Sequence, residues 1–244
     1  MGLPSGCPCN PHFSPAQTTV LHYLCARVAL ASLLALVSIA GAQAQQAVND
    51  CGPILRGPGE TGPFDYRTQR GALEIVERFH FTPRVEALLS GRSSTVGGDL
   101  SYLMRTSPNH HRGLLAIMRF VERSRSPQPR DMQYSIDCYF ERAIRFAPDD
   151  VIVRMLFARH LGTLKNVAAA KSQLEFATTL AGDNGLTHFN IGMTYFDLGL
   201  FPEALVRAHA AREYGFPRLE LEARLREKGH WSEPAPAPPA SSPG

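Results

Sequence analysis

His110 and His111 are adjacent in the chain, and with His80 they are the residues best suited to metal or acid–base chemistry. Neutral imidazole is a common ligand for zinc, and its charge changes near neutral pH. The spacing does not favour one helical metal site. Neighbouring helix positions point about 100° apart, and zinc-binding histidines on a helix usually recur at i and i+4, as in H-E-x-x-H. Two readings stay open. In one, His80, His110 and His111 converge in three dimensions, giving a metal-binding protein or a small metal-dependent enzyme. In the other they pack and hydrogen-bond at a helix N-terminus, with Asn109 and Arg112 fixing the segment before it.

Other catalytic patterns are incomplete. Gly91-Arg92-Ser93-Ser94-Thr95 lacks the final glycine of a nucleophile elbow. Gly97-Gly98-Asp99 lacks the lysine and spacing of a phosphate loop. Asp149-Asp150 and Asp183-Asn184 occupy matching turns, where helix capping accounts for them. Arg123, Arg125 and Arg130 read as a solvated loop. No catalytic residue and no cofactor is expected. The formal net charge of +3 on 244 residues is too small to point to nucleic acid.

Five cysteines are present, of which Cys7, Cys9 and Cys25 precede an expected cleavage site. Arg27 stands before an apolar run from Val28 to Ala40, and Ala42-Gln43-Ala44 fits a small-x-small cleavage pattern. Residues 1–44 are therefore read as a signal peptide, with the true start near residue 20, because Met1 to Val20 is uncharged and rich in proline. The run falls short of the roughly 20 residues of a membrane span, so no stable span is expected after cleavage. An exported, periplasmic protein would retain Cys51 and Cys138, and an even count in an oxidising compartment suggests one disulfide.

Such side chains need elements to hold them. Residues 45–106 read as an N-terminal loop and short-helix segment. Leu73, Val76 and Phe79 share one helix face, Thr82-Pro83 caps a second helix carrying Val85, Leu88 and Leu89, and Gly97-Gly98-Asp99 opens a third. Residues 107–231 read as a helical repeat domain. Ser107-Pro108 starts a helix with Leu114, Leu115, Ile117, Met118 and Val121. After the insert 123–130, a helix from about Met132 buries Ile136, Phe140 and Ala143, leaving Cys138 on the opposite side. A last helix, Pro217 to Lys228, carries Leu221, Ala223 and Leu225, and Trp231 folds back. Residues 232–244 read as a disordered proline-rich tail.

The repeat has a period of 34 residues. Ala158 lines up with Gly192, Leu161 with Tyr195, Ala170 with Ala204, and Ala177 with Ala211. That period is the length of a tetratricopeptide (TPR) unit of two antiparallel helices. Phe189-Asn190-Ile191-Gly192 and Tyr195-Phe196-Asp197-Leu198-Gly199 resemble the first helix of such a unit, and Phe201-Pro202-Glu203-Ala204-Leu205 the start of the second. The chain is thus expected to be all-α. The architecture would be a TPR-like α-α superhelix of about three helix pairs plus a capping helix, with an N-terminal loop and short-helix wrap.

The wider chain also resembles small exported bacterial TPR proteins. The resemblance is carried by Gly62-Pro63-Phe64-Asp65-Tyr66, His80-Phe81-Thr82-Pro83, Pro108-Asn109-His110-His111-Arg112 and Tyr139-Phe140-Glu141-Arg142-Ala143. It implies a non-enzymatic adaptor whose groove, lined by first helices, binds a protein or peptide partner. By period the groove residues would be Met155 and Arg159, then Phe189, Asn190, Met193 and Asp197. Phe189 and Met193 could instead pack on the N-terminal region. An accessory subunit of an envelope transport assembly is a further reading.

Overall fold

A computed structural model describes residues 51–54 and 61–234. The expected signal peptide, the start near residue 20 and most of the proline-rich tail lie outside the described residues. The chain divides into two units, Met1–Gly52 and Pro53–Gly244. Of the first, only Cys51 and Gly52 are described. Cys51 and Cys138 are both disulfide-bonded, as their even count implied.

Among the described residues there are ten α-helices and no strand. They are α1 (Arg70–His80), α2 (Pro83–Glu86), α3 (Val96–Thr106), α4 (His111–Ser124) and α5 (Ile136–Phe146), followed by α6 (Val151–Thr163), α7 (Val167–Leu180), α8 (Gly185–Asp197), α9 (Phe201–Glu213) and α10 (Glu220–Glu227). None is long and apolar enough to cross a membrane.

Local chemistry sets most of the helix starts. Side chains of Thr82, Thr95, Ser135, Asp150, Asn166 and Asn184 each accept a backbone N–H of the first turn, satisfying donors that have no helical partner. The period recurs in the helix starts: α6 and α8 begin at 151 and 185, and α7 and α9 at 167 and 201, each 34 apart. All eight residues aligned by the repeat are buried. At Gly192 an added Cβ would lie 2.4 Å from Leu221 Cδ2 and 3.0 Å from Arg207 Cβ, so a missing side chain lets α10 and α9 close on α8.

The helices pack in chain order. Helix α6 packs on α7 and α8 on α9, while α4 also meets α6 and α6 meets α8. One core gathers Val76, Phe81, Leu100, Leu103, Leu114, Ile117, Ile136 and Phe140. A second gathers Ala158, Ala170, Leu174, Ala177, Ile191, Tyr195, Ala204 and Leu221, with Trp231 folded against it.

Several local expectations need correction. Helix α4 starts at His111 rather than at Ser107-Pro108, because His110 supplies the cap: its Nδ1 accepts the Gly113 N–H at 2.9 Å. Helix α2 ends at Glu86. Leu88 turns left-handed (φ 59°), and its carbonyl accepts from Arg123 Nη2 at 2.7 Å. That turn buries Leu88 and sends Leu89 to solvent, while Phe79 also faces outward on α1. Of the apolar residues that α10 carries, Leu221 and Leu225 are buried and Ala223 is exposed.

Candidate functional site

The histidines are positioned by helix ends, and each has its own acid. On α1, His80 Nδ1 donates to Asp99 at 2.9 Å, and its ring stacks on Tyr102. Asp99 is fully buried, and its other oxygen accepts the Arg92 and Ser93 N–H groups. His110 Nε2 donates to Glu77 at 2.8 Å, while His111 Nε2 donates to Asp150 at 2.8 Å. With Nδ1 accepting and Nε2 donating, His110 is held as one neutral tautomer. Burial pushes its pKa below 6.5, partly offset by the Glu77 hydrogen bond. The same hydrogen bond holds the Glu77 carboxyl below its usual 4.5.

Asp150 joins this set to the repeats. It is almost wholly buried, caps α6 through the Ile152 and Val153 N–H groups, and accepts from Asn109 Nδ2 at 2.9 Å. Asn109 also donates to Asp65 and accepts the Tyr66 N–H, tying residues 65–66 to the start of α4. Arg67 bridges Asp65 and Asp149, and its guanidinium holds the Asp65 carboxyl far below the usual range. The three histidines therefore do not converge. Among the described residues no group of three or more His, Cys, Asp or Glu side chains is placed to hold a metal ion. The network ties residues 65–67 to the start of α4 and to Asp149-Asp150.

An open surface lies on the first helices instead. A cleft of about 420 Å³ runs between α4 and α6, lined on one side by Leu115, Met118, Arg119 and Glu122 and on the other by Arg159 and Leu164. His160 forms part of the lining, held by its Nε2 donation to Asp137 at 2.9 Å. A second cleft of about 250 Å³ lies between α6 and α8, lined by Arg159, Gly162, Thr163, Thr194, Asp197 and Leu198. Arg159 and Thr163 line both.

Of the six groove residues expected from the period, Arg159 and Asp197 reach these clefts. Asp197 is paired with Arg224 at 2.9 Å. Met155 is buried in the second core and lines neither cleft. Phe189 is buried against Phe216, with ring centroids 4.9 Å apart, and Met193 lies beside Arg224. These two are covered from the C-terminal side, not by the N-terminal region. Asn190 is half-buried and lines neither cleft.

Counting by period from the last repeat misses α4, whose pair is interrupted by the insert. Yet Leu115, Met118, Arg119 and Glu122 fall at i, i+3, i+4 and i+7, one helix face. The apolar stripe of α4 is wider than one core contact needs. Leu114 and Ile117 fill the core, and Leu115 and Met118 are left half-buried at the cleft.

The charges here are uncommitted. Among the described residues, the side chains of Arg119, Glu122 and Arg159 make no hydrogen bond or salt bridge, although Arg119 adds a longer-range pull on Glu86. Exposed arginines with apolar neighbours are suited to holding a carboxylate beside a seated hydrocarbon group. No family model, no curated protein and no solved structure matches the chain.

Proposed function

We propose that this protein is a non-enzymatic adaptor of TPR-like architecture, exported to the periplasm, that binds a protein or peptide along its first helices. The observation that carries the reading is the pair of clefts across α4, α6 and α8, whose arginines are unengaged and whose lining mixes apolar and polar groups. The 34-residue recurrence of helix starts, and the packing of each first helix on the next, support the architecture. The larger cleft lies in the size range of ligand-binding clefts. Each of His80, His110 and His111 is hydrogen-bonded to its own carboxylate.

A photoreactive amino acid placed at Met118 or Leu164 tests this in cells expressing the whole chain. Adducts with another polypeptide are expected from those positions and not from the exposed Ile75, which lines neither cleft. Equal labelling from all three sites, or no adduct from the cleft positions, would overturn the adaptor reading.

A further inference from the structure

The two clefts place a chemical constraint on the polypeptide they would hold. Neighbouring packed helices lie about 8–10 Å apart, and an extended chain advances about 3.3 Å per residue. A strand of roughly three residues therefore steps from one cleft to the next. Because Arg159 and Thr163 line both, that strand passes the Arg159 guanidinium. In the cleft between α4 and α6 it meets Leu115, Met118 and the exposed Leu164, which offer apolar surface, and Arg119.

We infer that the groove takes an extended acidic segment of a protein, in which an apolar side chain sits between α4 and α6 and an Asp or Glu within about three positions is gripped by Arg159 and Arg119. The inference rests on the adaptor reading above. Guanidinium groups without internal partners gain charge-assisted bonds to a carboxylate and break none within the protein. Glu122 and Asp197 disfavour a uniformly anionic ligand such as a nucleic acid backbone, and neither cleft is lined by a Phe, Tyr or Trp ring on which bases could stack. They suit a chain whose negative charge is local. A chain end is disfavoured too, since the shared lining lets a strand run through both clefts.

Labelled dodecapeptides with blocked ends, in acidic–apolar, basic–apolar and uncharged apolar compositions, test this by fluorescence anisotropy on the full chain. The acidic–apolar probe is expected to bind best and to weaken as salt rises. Arg159→Gln should weaken it about tenfold or more and Arg119→Gln by several-fold, with Arg159→Lys retaining part of the binding and Arg218→Gln, outside both clefts, retaining all of it. Helical circular dichroism identifies any variant that fails to fold, for which the salt dependence of the unsubstituted chain decides. Equal binding of the basic or uncharged probe, a need for a free terminal carboxylate, or indifference to Arg159→Gln would overturn the acidic assignment. If Met118 forms polypeptide adducts while the acidic probe does not bind, that assignment fails and the adaptor reading stands; if neither occurs, both fail.

Discussion

From residue 61 to Asp150 the helices run from 4 to 14 residues and are pinned by buried polar groups. From Val151 to Glu213 they run 13 or 14 residues each, and their core interleaves buried alanines with larger apolar residues. The first region buries Asp99, Ser101, Thr106, Ser107, Asn109, His110, Arg142 and Asp150, whereas the second buries His160, His188 and Thr194. The difference is one of how position is specified. Polar groups with single-valued partners fix irregular segments in one arrangement, while small residues at a fixed period let like helices approach closely and repeat.

The largest expected effect breaks the polar side of this contrast. Asp150→Ala removes the α6 cap and leaves His111 Nε2 and one of the two Asn109 amide hydrogens without an acceptor. A loss of about 3 kcal/mol or more is expected in urea unfolding. The equivalent cap substitution in the repetitive region, Asn184→Ala, should cost only about 1 kcal/mol, since Asn184 is exposed and its side chain serves a single N–H.

The alanine side breaks by overfilling. Ala177→Leu or Ala204→Leu places extra methylenes where the side chain is fully buried, and about 2 kcal/mol of destabilisation is expected from thermal or urea unfolding. The same change at the exposed Ala223 should move stability by less than about 0.5 kcal/mol.

Acid sharpens the comparison further. The folded-state pKa of His110 lies below 6.5, so the unfolded chain takes that proton first as pH falls. Its contribution is fully present above about 6.5 and is lost as pH drops from there to the folded value. Glu77, with its folded pKa depressed below 4.5, contributes above that value and loses its contribution as pH falls through the folded pKa. A proton on His110 Nδ1 would also face the Gly113 N–H, donor against donor. Hydrogen exchange should therefore show the first turn of α4 losing protection below pH 6.5 before the first turn of α8. Simultaneous loss in both helices would refute the local origin of the effect.

The smallest effect is expected at the apolar residues facing solvent. Phe79→Ser should change stability by less than about 0.5 kcal/mol, which distinguishes its observed exposure from the core position implied by helical periodicity. A loss above about 2 kcal/mol would place Phe79 in a core after all.

The second region was the more legible in the sequence because each of its signals is local or periodic. The cap at Asn184, small residues at Ala170 and Ala204, and the start of α9 at Phe201-Pro202 follow from residue type and spacing. The first region was harder to read. His110, whose Nδ1 accepts the Gly113 N–H, caps α4, whereas the Ser107 hydroxyl is buried without a hydrogen-bond partner among the described residues. The candidate groove was legible at Arg159, but its α4 wall was not, since the insert 123–130 breaks the count on which the mapping relied.

What the residues alone determined is the helical character, the 34-residue register and the pairing of Cys51 with Cys138 as candidates for a bridge, all of which depend on neighbours in the chain or on counting. The partners of His80, His110 and His111, the covering of Phe189 and Met193 by the C-terminal segment, and the unengaged state of Arg119 and Arg159 were decided only in three dimensions. Each of those depends on which distant surface arrives to desolvate or neutralise a side chain, and no spacing along the chain encodes that arrival.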